Sequence, residues 1–411
     1  VVNASEDANM TKSKDWIILP YAFATDATGT AGGVGVIKQG LLQPQTTLVA
    51  TVFRGLNQDI TINGQPDEAH FSGGFISFSN LLLPKTNRLF FSLIGLKSYF
   101  PAAENYFDGS NDSNPDDVLI SSGNSDFLFT TFRYVLPMGE GLENPQGLVT
   151  LQNGFATGRE GYGNGTPFVT GLTAVGLKTF WATDSYDSWL NYSPWLTQEK
   201  HSWDTNGLRL FLTHDNTDFE LNPSRGYHFE LQYSKDFGKG DSLQSWDSVE
   251  FKYNHYFNLD TFSFTQQNVL ALSFWTAYSP SWDRNNEIAP GIASHRPPVW
   301  EGARLGGLFR MRGYNQNRFS DKAAVYGTAE YRAVLNWNPL KNNSFVPVDW
   351  FQVVAFMEAG RVNDTYNFDL LTEMKYDAGV SFRAMVAQLP IRLDVAYGDE
   401  GTNLWVMVEH P

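Results

Sequence analysis

Segments of roughly ten residues in which apolar and polar side chains alternate recur along almost the whole chain, and that period leaves few folds open. A period of two places successive side chains on opposite faces of a strand, so each segment has one apolar and one polar side. In 324–337 one face carries Val325, Gly327, Ala329, Tyr331, Ala333, Leu335 and Trp337, and the other Tyr326, Thr328, Glu330, Arg332, Val334 and Asn336. In 376–387, Ala378, Val380, Phe382, Ala384 and Val386 stand against Asp377, Gly379, Ser381, Arg383 and Met385. In 390–398, Ile391, Leu393, Val395 and Tyr397 oppose Arg392, Asp394 and Ala396. Helical periodicity is nearly absent.

Seventeen strand candidates follow: 15–24, 30–38, 46–56, 68–80, 86–98, 124–136, 146–156, 168–183, 205–215, 224–236, 245–258, 261–278, 324–337, 350–361, 376–387, 390–398 and 403–411. A soluble sandwich uses strands of about 5 to 6 residues, whereas a tilted strand needs about 9 to 11 to cross a bilayer. The candidates have the second length, and Trp337, Trp350 and Tyr397 sit near strand ends, where aromatic girdles lie. Aromatic residues at 15%, 36 glycines and only 18% charged residues fit the same reading. The expected fold is all-β, a transmembrane antiparallel barrel of about 16 strands, because closed bacterial barrels take an even number and one candidate must be false or two must merge. Residues 15–411 form the barrel in this reading, and 1–14 a short periplasmic segment.

No stretch approaches the 18 apolar residues of a membrane helix. The opening "VVNASEDANMTKSKDW" lacks a charged leader followed by an apolar stretch, and with the strands in view it reads as a processed, mature start. A net charge of −15 without clustered Lys and Arg argues against nucleic acid. With no cysteine, thiolate catalysis and Cys-based zinc sites are excluded. The acidic stretch "DGSNDSNPDD", Asp108 to Asp117, lacks the Gly and closing Glu of an EF-hand loop and reads as a solvated loop. None of the seven histidines has metal-ligand spacing. Ser224, His228 and Glu230 share one face, and His214 adjoins Asp215, but Ser224 falls in a turn; no catalytic group, metal or cofactor is expected.

A segment of roughly 45 residues without clear strands, from about 279 to 323, is long for a connection. It holds "LGGLFRMRGYNQNRF", Leu305 to Phe319, in which Arg312 stands between Met311 and Gly313. Alternation in 350–361 puts Glu358 with Gln352 and Gly360, opposite Phe351, Val353, Ala355 and Met357, so Glu330 and Glu358 both face inward. A guanidinium is a planar fork suited to carboxylates, and burying it unpaired costs several kcal/mol.

The C-terminal part resembles a known family. "LTHDNTDFELNPSRGYHFELQYS" (212–234), "LGGLFRMRGY" (305–314), "GTAEYRA" (327–333), "AFMEAGRV" (355–362) and "DAGVSFR" with "PIRLDVAYG" (377–398) are similar, in order, to the bacterial surface-antigen, or BamA–TamA, superfamily of outer-membrane assembly and translocation barrels. The resemblance implies that the sixth extracellular loop folds into the lumen and that the arginine of its RGF or RGY tip contacts acids on the inner wall. Carried over, the lock comprises Arg312, Gly313, Tyr314, Glu330 and Glu358, with Glu358 where the family commonly has Asp. The family's periplasmic POTRA domains have no counterpart in the roughly fourteen residues before the first strand candidate, which reads as a member without them or an excised barrel.

The function implied is insertion or translocation of proteins or lipids in the bacterial outer membrane, through a gated seam or plugged lumen and without enzymatic activity. The alternative is a passive, porin-like channel for small solutes. Implied partners are outer-membrane lipids and an unfolded protein substrate or a periplasmic protein supplying it, with homo-oligomer formation left open. Pro20, in the first strand, removes a ladder donor and favours a weak seam, formed with Val406 and Val408 of the last strand. In 403–411 the outward set is expected to be Leu404, Val406, Val408 and His410, opposite Asn403, Trp405, Met407 and Glu409, with pairing to 15–24. A family ending on an outward aromatic implies one further residue, most simply Phe, after Pro411.

Overall fold

The computed structural model describes residues 2–3, 16–25, 28–62, 65–158, 163, 165–186, 188–189, 201–240, 242, 244–289, 292–298, 301–341, 343, 348–386 and 389–408. Sixteen antiparallel strands form one sheet curled into a barrel. They are β1 (Ile17–Thr25), β2 (Gly29–Gln39), β3 (Thr47–Gly55), β4 (Ser72–Leu82), β5 (Leu89–Asn105), β6 (Leu119–Val135), β7 (Leu172–Tyr186), β8 (His201–Asp215), β9 (Gly226–Asp236), β10 (Trp246–Leu259), β11 (Thr265–Tyr278), β12 (Ala323–Leu335), β13 (Val348–Asn363), β14 (Lys375–Val386), β15 (Leu389–Gly398) and β16 (Gly401–Val408).

Each strand pairs with the next in sequence, from β1–β2 to β15–β16. β1 and β16 come into contact, but no register pairing joins them among the described residues, so the ladder expected between 403–411 and 15–24 is not present there.

Alternation accounts for the two faces. Leu128, Leu231, Phe274, Met357 and Phe382 are exposed on the outside, where lipid would cover them. Arg332, Glu330, Gln352, Glu358, Asp377, Ser381, Arg383, Arg392 and Asp394 are buried, carried by the opposite parity. Val325 has outward parity and is nonetheless buried, because it packs with Leu370 of the short 3-10 turn Phe368–Leu371.

Two further expectations are corrected. The segment 146–156 does not enter the wall: Val149–Gln152 and Phe155–Thr157 form a separate small hairpin, leaving sixteen wall strands. Trp350 is not a girdle residue, because it shares the parity of Gln352 and Glu358 and is fully buried, whereas Trp337 and Tyr397 are exposed. Trp350 packs with Val149, Leu151, Phe219, Val334 and Met385.

Candidate functional site

The β11–β12 connection, 279–322, turns back over the inner face. A short pairing of Arg304–Leu305 with Phe319–Ser320 holds its base. Leu305, Met311, Tyr314 and Phe319 pack with the inward Trp275, Ala277, Ala324 and Tyr326, forming an apolar seat that carries the segment's tip to the wall. Met311 adopts a left-handed backbone with φ of 57°, which reverses the chain just before Arg312.

Arg312 is 2% exposed and is surrounded by carboxylates from three strands. Its Nη2 lies 2.9 Å from Glu330 Oε1 of β12. Its Nε lies 3.1 Å from Glu358 Oε1 of β13, and its Nη1 3.3 Å from Asp394 Oδ2 of β15. The backbone N–H of Arg312 donates to Glu358 Oε2 at 2.6 Å, and the guanidinium lies over the Phe356 ring at 3.5 Å from its centroid. Burial alone lowers the basicity of Arg312, but Glu358 and Glu330, with Tyr326 and Asp394, reverse this and hold it well above the ordinary arginine value.

Glu330 serves more than one cation. Arg332 Nη2 lies 2.7 Å and Arg383 Nη2 3.1 Å from its Oε2. Arg392 lies 3.3 Å from Asp394 and donates to Leu308 O at 2.6 Å. Four arginines (312, 332, 383, 392) thus face four acids (Glu330, Glu358, Asp377, Asp394), with no net charge at their formal ionisation, which makes burial of so many ions tolerable.

Gly313 N donates to Asp377 Oδ2 at 3.1 Å. A Cβ at Gly313 would lie 2.6 Å from Asp377 Cβ and 2.7 Å from Gly398 N, so only glycine fits this approach of loop to wall. Tyr314 Oη donates to Asp399 Oδ1 at 2.5 Å, and burial followed by the Asp399 carboxylate raises its pKa, keeping it protonated.

The structure therefore brings Arg312, Gly313, Tyr314, Glu330 and Glu358 together. It adds Asp394, Asp377, Asp399 and Trp405; alternation puts Asp377 and Asp394 on the polar faces of their strands, but their distance from the loop depends on its path. Trp405 Nε1 donates to Arg312 O at 2.8 Å. The other seam residues stand apart from this cluster. Pro20 is exposed in β1 opposite Val34, and Val406 is exposed in β16 opposite Leu393. Val408 pairs with Ile391 through the backbone; its side chain, like all of His410, lies outside the described residues.

A second tether joins the segment to the opposite wall. Glu301 accepts from Arg209 of β8, whose Nε donates to Ser234 Oγ at 2.8 Å. Arg310 stacks on Trp275 at 3.8 Å from the ring centroid. Arg318, fully buried, donates from Nε to Glu400 Oε2 at 2.8 Å and from Nη2 to Ser113 O at 2.6 Å, tying the acidic 106–118 loop to the same segment. The Ser-His groupings take other partners: Ser224 Oγ donates to Asp218 Oδ2 at 2.5 Å, and His214 Nδ1 lies 2.9 Å from Thr173 Oγ1.

A sixteen-stranded barrel whose longest connection docks an arginine among inward acids defines a class: membrane β-barrels with an internal loop. The Omp85 superfamily domain matches residues 150–403, and the chain belongs to that superfamily. It is accordingly a bacterial outer-membrane protein. Among solved structures it is similar to CdiB from Escherichia coli (12% identity, TM-score 0.53, 96% of this chain and 60% of that one) and to CdiB from Acinetobacter baumannii (13%, 0.51, 95% and 58%). It also matches BamA from Haemophilus ducreyi lacking POTRA domains 1–3 (11%, 0.49, 96% and 69%). This chain thus spans about three fifths of the length of the CdiB chains. No curated protein sequence matches it.

Proposed function

We propose that this barrel inserts or translocates polypeptide in the outer membrane, using a seam between β1 and β16 that opens under control of the loop tip at Arg312. The observation that carries this reading is the tip's reach. One residue, Arg312, is bonded to β12, β13 and β15 by its guanidinium and backbone N–H, and to β16 by its carbonyl. Displacing that tip removes a contact from the last strand, and the last strand has no register pairing to β1 among the described residues. A buried charged cluster has few alternative arrangements, since separating one partner leaves an uncompensated charge. It therefore behaves as a two-position element rather than a compliant one, the property a gate needs. The lock is Arg312 with Gly313, Tyr314, Glu330, Glu358 and Asp394, and no residue acts as a catalyst.

The reading is tested by depleting the protein in its native bacterium and comparing outer-membrane protein and lipid composition. A fall in other integral outer-membrane proteins or in a secreted partner is expected. A defect confined to small-solute uptake would replace this reading with a diffusion channel.

A further inference from the structure

The outer, lipid-facing side of β2 to β5 carries a shallow groove of about 530 Å³, lined by Val34, Val52, Gly74, Ile76, Gly95 and Lys97. Val34, Val52 and Ile76 are exposed along it. Two glycines make the depression. Gly74 stands opposite both Val52 and Lys97, and Gly95 opposite Ile76, so two outward positions carry no side chain.

Two cations stand at one end of this groove. Arg54 lies opposite Ser72, and Lys97 opposite Gly74, two residues further along β4, so that one strand separates them. Both side chains are exposed. Arg54 is one residue from the end of β3, and the β3–β4 connection lies at the same end of the barrel as the 279–322 segment, because successive connections alternate ends. The chain has a net charge of −15, yet among the described residues neither cation has an ion-pair partner. Asp126, opposite Lys97, accepts from Ser98 N at 3.0 Å instead. Lys235, also on an outward face, differs in lying 4.0 Å from Asp247. A cation on the lipid face is unfavourable unless its long stem carries the charge to headgroup depth, and the anion at that depth is lipid phosphate.

We propose that this groove holds an anionic lipid of the leaflet that meets the 279–322 end of the barrel, its phosphate between Arg54 and Lys97 and an acyl chain against Val34, Val52, Gly74 and Ile76. The two halves of the site match the two halves of one molecule. An acyl chain asks only for apolar surface, which the groove supplies, and a phosphate asks for donors, which a guanidinium fork and an ammonium supply. The inference is separate from the polypeptide reading, since the groove and both cations lie on the outside of the wall.

The test is native mass spectrometry of the purified full chain in detergent, incubated with equal amounts of dioleoyl phosphatidylglycerol and dioleoyl phosphatidylcholine. Retention of one phosphatidylglycerol per chain is expected, with a preference over phosphatidylcholine that falls about tenfold when Arg54→Gln and Lys97→Gln are combined. Gly95→Leu should lower retention of both lipids several-fold by filling the groove. A Cβ there would lie 3.5 Å from Ile76 Cγ2 and 3.6 Å from Leu128 Cδ1, ordinary contact, so the barrel should still fold. Lys235→Gln should change nothing. Heat-modifiable migration on a gel checks that every variant is folded. An unchanged preference in the folded double variant, or an equal loss in Lys235→Gln, would overturn the site. Competition by excess glycerol phosphate would replace the lipid with a free phosphate ester, and a dimer dissociated by Gly95→Leu would replace it with a second copy of the chain; either result overturns the proposal.

Discussion

The indole Nε1 of Trp405, in the last strand, donates a 2.8 Å hydrogen bond to the carbonyl oxygen of Arg312 at the loop tip. The bond joins the inner-wall cluster to the strand that borders β1. Trp405→Phe keeps an aromatic ring, though a smaller one, and removes the donor. We expect greater separation or mobility between spin labels placed at the exposed positions Trp16 and Leu404, with barrel folding unchanged. Identical label distances in both proteins would show that the tip does not restrain β16.

Removing Arg312 leaves three inward carboxylates without that partner, so Arg312→Ala should cost on the order of 3 to 5 kcal/mol of loop docking. Arg312→Lys restores a point charge and not the fork, and should recover only part. Gly313→Ala should resemble Arg312→Ala, because the atoms a Cβ would meet, Gly398 N and Tyr397 C, belong to the backbone of β15 and cannot move aside. Limited proteolysis within 303–321 measures all three, and an Arg312→Ala loop as resistant as the natural one would contradict the assignment.

The Glu301–Arg209 tether holds the same segment from the opposite wall with the charges reversed, the acid on the loop and the base on the strand. Arg209→Glu should release that side of the loop, and Arg209→Glu with Glu301→Arg should regain part of what was lost. A double variant no better than the single one would mean that the pairing is incidental. Proteolytic half-life of the 297–305 stretch is the readout.

If, as proposed, the 279–322 segment packed on the inner face and the 149–157 hairpin obstruct the lumen, the barrel should conduct poorly. Planar-bilayer recording is expected to give small, brief openings, more frequent in Arg312→Ala. Steady, porin-like currents from the unaltered protein would contradict a filled lumen.

Much of the wall and of the site is legible in the sequence, for a physical reason. The side-chain period of a strand is two wherever the strand lies, so the inward parity of Glu330 and Glu358 followed from their neighbours alone. The same alternation put Trp350 inward with Gln352; reading it instead from its position at a strand end misplaced it. The candidate 146–156 reads as wall because alternation marks a strand without saying what it pairs with, and only the structure shows that its regular part is four residues long, too short to cross a bilayer. Asp394 was placed on the correct face and could not be joined to Arg312, since that contact depends on the path of a long loop rather than on local pattern.

If polypeptide passes by opening of the junction between β1 and β16, as proposed, covalent closure of that junction must stop it. The chain has no cysteine, so introduced pairs are unambiguous. Cysteines at the exposed positions Ile18 or Pro20 combined with Leu404 or Val406 are to be screened for a pair that cross-links the seam on oxidation, and a pair at the registered positions Val380 and Val395 bridges an interior junction as a control. Our account predicts that oxidising a seam pair abolishes the ability of the protein to restore outer-membrane composition in a depleted strain, that reduction returns it, and that the Val380–Val395 bridge has no effect. Full restoration by a quantitatively closed seam would contradict it.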